Sequence, residues 1–127
     1  MILVDTSVWV DHFRSRNQRL ASLLDAEEVL IHPFVIGELA CGNLKNRREV
    51  LALLHALPTS PKVDDAEILF FVERHSLMGR GVGIIDVHLL ASTIIAQCLL
   101  WTHDKPLKTV AKEMAIDGSQ QDPGPYR

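Results

Sequence analysis

Residues 1–13 read MILVDTSVWVDHF, and this stretch sets the fold class. Met1 to Val4 is a continuous apolar run, too short for a helix and suited to a strand buried in a parallel sheet. Thr6 and Ser7 can cap a helix predicted from about Val8 to Leu24, with Val10, Phe13, Leu20, Leu23 and Leu24 apolar. The alternation then repeats along the chain. Val29 to Ile31 is a second short run, and Pro33 begins a helix that carries Glu38 and stops near Gly42. Arg47 to Leu57 reads as a helix, and Asp64 or Asp65 caps a longer one through Phe70 and Phe71 to Met78. Gly79, Gly81 and Gly83 break the pattern. A helix opened by Asp86 runs to about Gln97, Cys98 to Trp101 is a third strand, and Asp104 caps a last helix with Pro106 in its first turn. Ala115 to Asp117 suits a final short strand. Strands alternating with helices predict an α/β fold, a three-layer α/β/α sandwich around a central, mainly parallel sheet.

Composition narrows the function. A chain of 127 residues, 47% of them hydrophobic, makes one domain with a core that needs no staples. Two cysteines, Cys41 and Cys98, do not make a disulfide framework. No apolar run approaches the roughly 20 residues of a membrane helix. The start has no basic leader and reaches Asp5 at once, so a cytoplasmic protein is expected. A net charge of −3 argues against a polybasic nucleic-acid binder, though not against an enzyme acting on nucleic acid.

In an open parallel sheet, ligands bind beyond the carboxyl ends of the strands. Asp5 follows the first strand, Asp104 lies in the loop leaving the third, and Asp86 starts a helix after a glycine loop. Glu38 lies about one turn into its helix, where its long side chain can reach the same edge. Carboxylates gathered in one cleft repel each other, and hard divalent cations offset that repulsion. All-oxygen ligation favours Mg2+ or Mn2+ over zinc. Each residue also has a plainer role. Asp104 and Asp86 could be helix caps only, and Glu38 could face solvent. Asp5 is harder to explain so, because a carboxylate at the end of a buried strand must be paired.

The segments MILVDTSVWVDHF, IGELACG around Glu38, GIIDVHLLASTIIAQ around Asp86 and LLWTHDKPLKTVAK around Asp104 resemble the PIN-domain nucleases, specifically the VapC-type ribonuclease toxins of type II toxin–antitoxin systems. The resemblance runs from Met1 to about Asp117. It implies a nuclease domain over residues 1–117 and a tail over 118–127. It implies a metal site of Asp5, Glu38, Asp86 and Asp104, supported by Thr6 and Thr102. One or two Mg2+ or Mn2+ ions there would activate water for RNA phosphodiester cleavage. His88 is not expected to be a ligand. A homodimer, an RNA substrate and a silencing antitoxin are implied as well. A PIN-like module without catalysis is the alternative, but all four acidic positions are filled. A receiver domain would need a second acidic residue beside Asp5, and a haloacid-dehalogenase-type phosphatase would need Asp-x-Asp where this chain has Asp5-Thr6-Ser7.

RNA must reach an acidic cleft through positive surroundings. Arg80, in the glycine loop, is the leading candidate, with Lys105 and Arg14 next. Arg16, Arg19, Lys108 and the cluster of Lys45, Arg47 and Arg48 are others, and a solvated helix face is the plainer reading of each. Phe34, Phe70 and Phe71 read as core, whereas Trp9 suits either the core or a partner groove. The 16 acidic residues, less the four of the site, leave 12 against 13 basic ones, so the remaining surface is close to neutral.

Overall fold

A computed structural model describes residues 1–119. Among these, three strands and seven helices alternate: β1 (Ile2–Val4), α1 (Thr6–Arg14), α2 (Gln18–Asp25), β2 (Val29–Leu30), α3 (Pro33–Ala40), α4 (Arg47–Ala56), α5 (Asp65–Arg74), α6 (Ile84–Ala96), β3 (Leu99–Trp101) and α7 (Lys105–Glu113). The sheet is parallel, in the order β2-β1-β3. Ile2 pairs with Val29 and Leu99, and Val4 pairs with Trp101. Single bridges extend both edges, Ile31 to Thr59 and Leu100 to Asp117. The last of these is all that forms of the expected strand at Ala115–Asp117.

The central strand is apolar because both its faces are covered. Leu3 and Val4 are fully buried, and so are Leu89, Leu90, Leu100 and Leu107 from α6, β3 and α7. α1 packs on α3, α5 on α6, and α6 on β3. The chain leaves β1 toward β2 on one side and returns to β3 on the other. That reversal opens a crevice beyond the end of β1, where Asp5 stands.

Three expected boundaries moved. The helix predicted from Val8 to Leu24 is two helices, broken at Ser15, whose backbone is extended. Asn17 starts α2 by accepting the Leu20 amide on its side chain at 2.9 Å, and its own amide bonds His12 Nδ1. An asparagine that caps locally competes with helix continuation. The helix expected to reach Met78 ends at Arg74, with Ser76 in a left-handed conformation soon after. α6 begins at Ile84 rather than Asp86, with Gly83 as its N-cap. Phe70 is not core but 66% exposed, while Phe71 packs against the core. Gly118 still belongs to the sheet edge, its amide bonding Leu100 O at 2.7 Å. The remainder of the expected tail, 120–127, lies outside the described residues.

Candidate active site

Asp5 is buried at the end of β1, and its Oδ2 accepts two hydroxyls, Thr102 Oγ1 at 2.7 Å and Ser7 Oγ at 2.8 Å. These contacts supply the pairing that a carboxylate in this position requires. The two hydroxyls tie the neighbouring loop as well. Thr102 Oγ1 accepts the Asp104 amide at 3.0 Å, and Ser7 Oγ accepts the His103 amide at 3.0 Å. The loop after β3 is thereby fixed to the loop after β1, and Asp104 is fixed relative to Asp5.

The other acidic residues are each held through one oxygen. Asp104 caps α7, with Oδ2 accepting the Leu107 amide at 3.0 Å. Asp86 sits in the first turn of α6, with Oδ2 accepting the Gly83 amide at 2.9 Å. Glu38, exposed on α3, accepts the Thr6 hydroxyl on Oε1 at 2.6 Å. The capping role that sequence allows for Asp104 is therefore real, and it occupies half of the carboxylate. In all four residues the second oxygen has no hydrogen bond among the described residues.

Their proximity is electrostatic as well as topological. The Asp86 carboxyl is held above the usual carboxylate range, first by burial, against the opposing pull of the Gly83 amide, and then by the charges of Asp5, Asp104 and Glu38. One carboxylate feeling the other three is the signature of a single cleft. No three His, Cys, Asp or Glu side chains among the described residues already close on one point as in a finished metal cage. The donor chemistry nonetheless fits a hard cation: four carboxylates, each with an uncommitted oxygen, and no imidazole or thiolate among them.

Thr6 donates to Glu38 and Thr102 to Asp5, and Ser7 is a further hydroxyl on Asp5 that sequence reasoning missed. Its only signal is a hydroxyl two residues after Asp5. The basic residues divide. Arg14 lines a cleft that also contains Thr6 and Glu38, with Val10, Phe13 and Lys45 further along it. Lys105, exposed, is the first residue of α7 beside Asp104. Arg19 lies over the Trp101 ring at 4.4 Å. Arg80 donates from both terminal guanidinium nitrogens to Glu113. His88 is buried, its Nδ1 without a partner among the described residues, and stacks edge-on against Phe34.

The PIN domain model matches residues 2–113. The chain belongs to the PIN domain family. This PIN domain is 46% identical over 117 residues to Ribonuclease VapC32 of Mycobacterium tuberculosis, in two strains, a match covering 91% of this chain and 94% of that protein. Among solved structures it shares the fold of FitAcB from Neisseria gonorrhoeae, with a TM-score of 0.58 and 21% identity over 88% of this chain and 94% of that one. It also shares the fold of FitAB bound to an IR36 DNA fragment, with a TM-score of 0.56 and 18% identity over 88% and 91%.

Proposed function

We propose that this PIN domain is an Mg2+- or Mn2+-dependent endoribonuclease and the toxin of a toxin–antitoxin pair. The observation that carries the proposal is the electrostatic neighbourhood that Asp5, Glu38 and Asp104 share with Asp86 at the strand ends. The similarity to a protein named Ribonuclease VapC32 supports RNA as the substrate class. Asp5, Asp86 and Asp104 would hold the ion, and Glu38 would complete the site, directly or through water, or orient the attacking water. When bound, a divalent ion lowers the pKa of a water and offsets the charge that builds on the phosphodiester. The protein supplies the positions. Thr102 and Ser7 keep Asp5 Oδ1 turned away from their own bonds, Thr6 steadies Glu38, and the two helix-cap bonds fix Asp86 and Asp104. Arg14, in the cleft that holds Glu38, and Lys105, beside Asp104, would be the basic residues that meet RNA in this reading.

Two exposed apolar surfaces suit the protein partners. One, over α1 and α4, presents Phe13 and Leu53 around a pocket floored by the buried Trp9 and Leu54, and suits a cognate antitoxin segment. The other, on α5 and α6, presents Phe70, Ile94 and Ile95 between Glu67 and Arg74. Two copies placed antiparallel across Phe70 would bring Glu67 of each near Arg74 of the other, so this face suits a homodimer. No helix of the described residues is long and apolar enough to cross a membrane. A cytoplasmic location remains part of the proposal.

Mapping RNA ends in cells after brief induction tests the activity. New internal ends that are missing with Asp5→Asn are expected. Equal ends from both proteins would exclude Asp5 from the chemistry.

A further inference from the structure

Arg80 is attractive for a phosphate on sequence grounds, yet its guanidinium is committed. Nη1 and Nη2 donate to Glu113 Oε1 and Oε2, each at 2.8 Å. This bidentate fork is the strongest geometry available to an arginine and a carboxylate. What it joins matters more than its strength. Arg80 lies in the loop that enters α6, the helix with Asp86 in its first turn. Glu113 is the last residue of α7, the helix capped by Asp104. A second contact ties the same two parts together. Gly81 has φ of 83°, and a Cβ placed there would stand 3.3 Å from Pro106 Cβ, so the loop lies tightly against the first turn of α7. The loop then delivers Gly83, whose amide holds Asp86 Oδ2.

We propose that the Arg80–Glu113 pair is a positioning clamp that sets Asp86 against Asp104 for metal binding, and that Arg80 is not an RNA contact. The clamp rests on the metal-dependent function proposed above. The physical need for it is repulsion. Asp86 feels the charge of three other carboxylates, and without a restraint on the Gly83 end the first turn of α6 that carries it is pushed away from them. An ion pair of two partly exposed side chains adds little to global stability. Its loss should therefore leave the melting temperature nearly unchanged. Ligand spacing is more sensitive: partners that touch metal ligands cost about tenfold or more in affinity when removed, and this pair acts one step further out, through the loop and α7 that carry the amides holding Asp86 and Asp104.

The test uses the full chain and four forms: wild type, Arg80→Ala, Glu113→Ala and the exchanged pair R80E/E113R. Each single substitution should weaken Mn2+ binding in calorimetry several-fold, toward the low end of the effect of a direct ligand partner, with the melting temperature held. The exchanged pair should recover most of the wild-type affinity. Wild-type affinity in Arg80→Ala, or an exchanged pair as weak as the singles, would overturn the clamp. Binding of a non-cleaved RNA oligonucleotide in EDTA adds a second readout. A salt dependence that falls in Arg80→Ala and stays low in the exchanged pair would make Arg80 an RNA contact and overturn the clamp. Hydrogen exchange of residues 81–87 in metal-free protein separates the clamp from the function it serves. Faster exchange in both single variants supports the clamp, and unchanged exchange overturns it, even if the wild type were to take up no Mn2+.

Discussion

At Asp86, the charge that the proposed metal would need is charge the fold tolerates poorly by itself. Burial and the three neighbouring carboxylates raise its folded pKa above the unfolded value. The folded chain thus binds that proton more tightly, and stability from this group is greatest at low pH and lost as pH rises through its range. At neutral pH the ionised side chain opposes folding. Asp86→Asn keeps an oxygen for the Gly83 amide and removes the charge, so it should raise the melting temperature in EDTA by a few degrees. Adding Mn2+ should stabilise the wild type and leave the variant unmoved. A variant melting below wild type in EDTA would contradict this balance. Asp5, Asp86 and Asp104 were legible in sequence because each follows a strand end or opens a helix, and Glu38 because a long side chain one turn into its helix can reach back to the same edge. Ser7 was not, since a hydroxyl in a first helical turn is equally an ordinary cap. The Arg80–Glu113 pair was hidden by its 33-residue separation, which only the tertiary fold closes.

Among the elements, α3 depends on an unusual cap. His32 is fully buried and accepts the Phe34 amide on Nδ1 at 3.0 Å, so the imidazole must be neutral with its proton on Nε2. Burial, then the nearby His88 and Lys62, lowers its pKa to about 4. Above pH 6.5 both folded and unfolded chains leave it neutral. As pH falls from there toward 4, the unfolded chain takes up a proton that the folded one refuses, and stability is lost. Urea denaturation should show wild type losing about 2 kcal/mol more than His32→Asn between pH 7 and 5. Equal losses would place the buried cap elsewhere. Since α3 carries Glu38, this cap also links the site to acid. Helix existence was readable from periodicity and caps. Helix length was not, because the apolar spacing continues across Ser15 to Asn17 while the Asn17 side chain starts a new helix there.

As a whole molecule, the domain is a small parallel sheet with its acidic crevice at one edge and apolar helix faces elsewhere. The outward Phe70 shows where sequence patterning misleads: an apolar residue on a helix beside other apolar residues reads as core, and burial by a partner looks the same as burial by the fold. If α5 and α6 form the homodimer face, Phe70→Glu should give a monomer in sedimentation with its melting profile retained. A dimer unaffected by this change would move the interface. The chemistry is tested most directly with purified protein and end-labelled RNA, in Mn2+, in EDTA, and in EDTA followed by excess Mn2+, with Asp5→Asn beside wild type. Cleavage by wild type alone, abolished in EDTA and restored by Mn2+, is the expected result. Cleavage that persists in EDTA, or that Asp5→Asn performs as well as wild type, would contradict a metal-dependent ribonuclease site at Asp5, Glu38, Asp86 and Asp104.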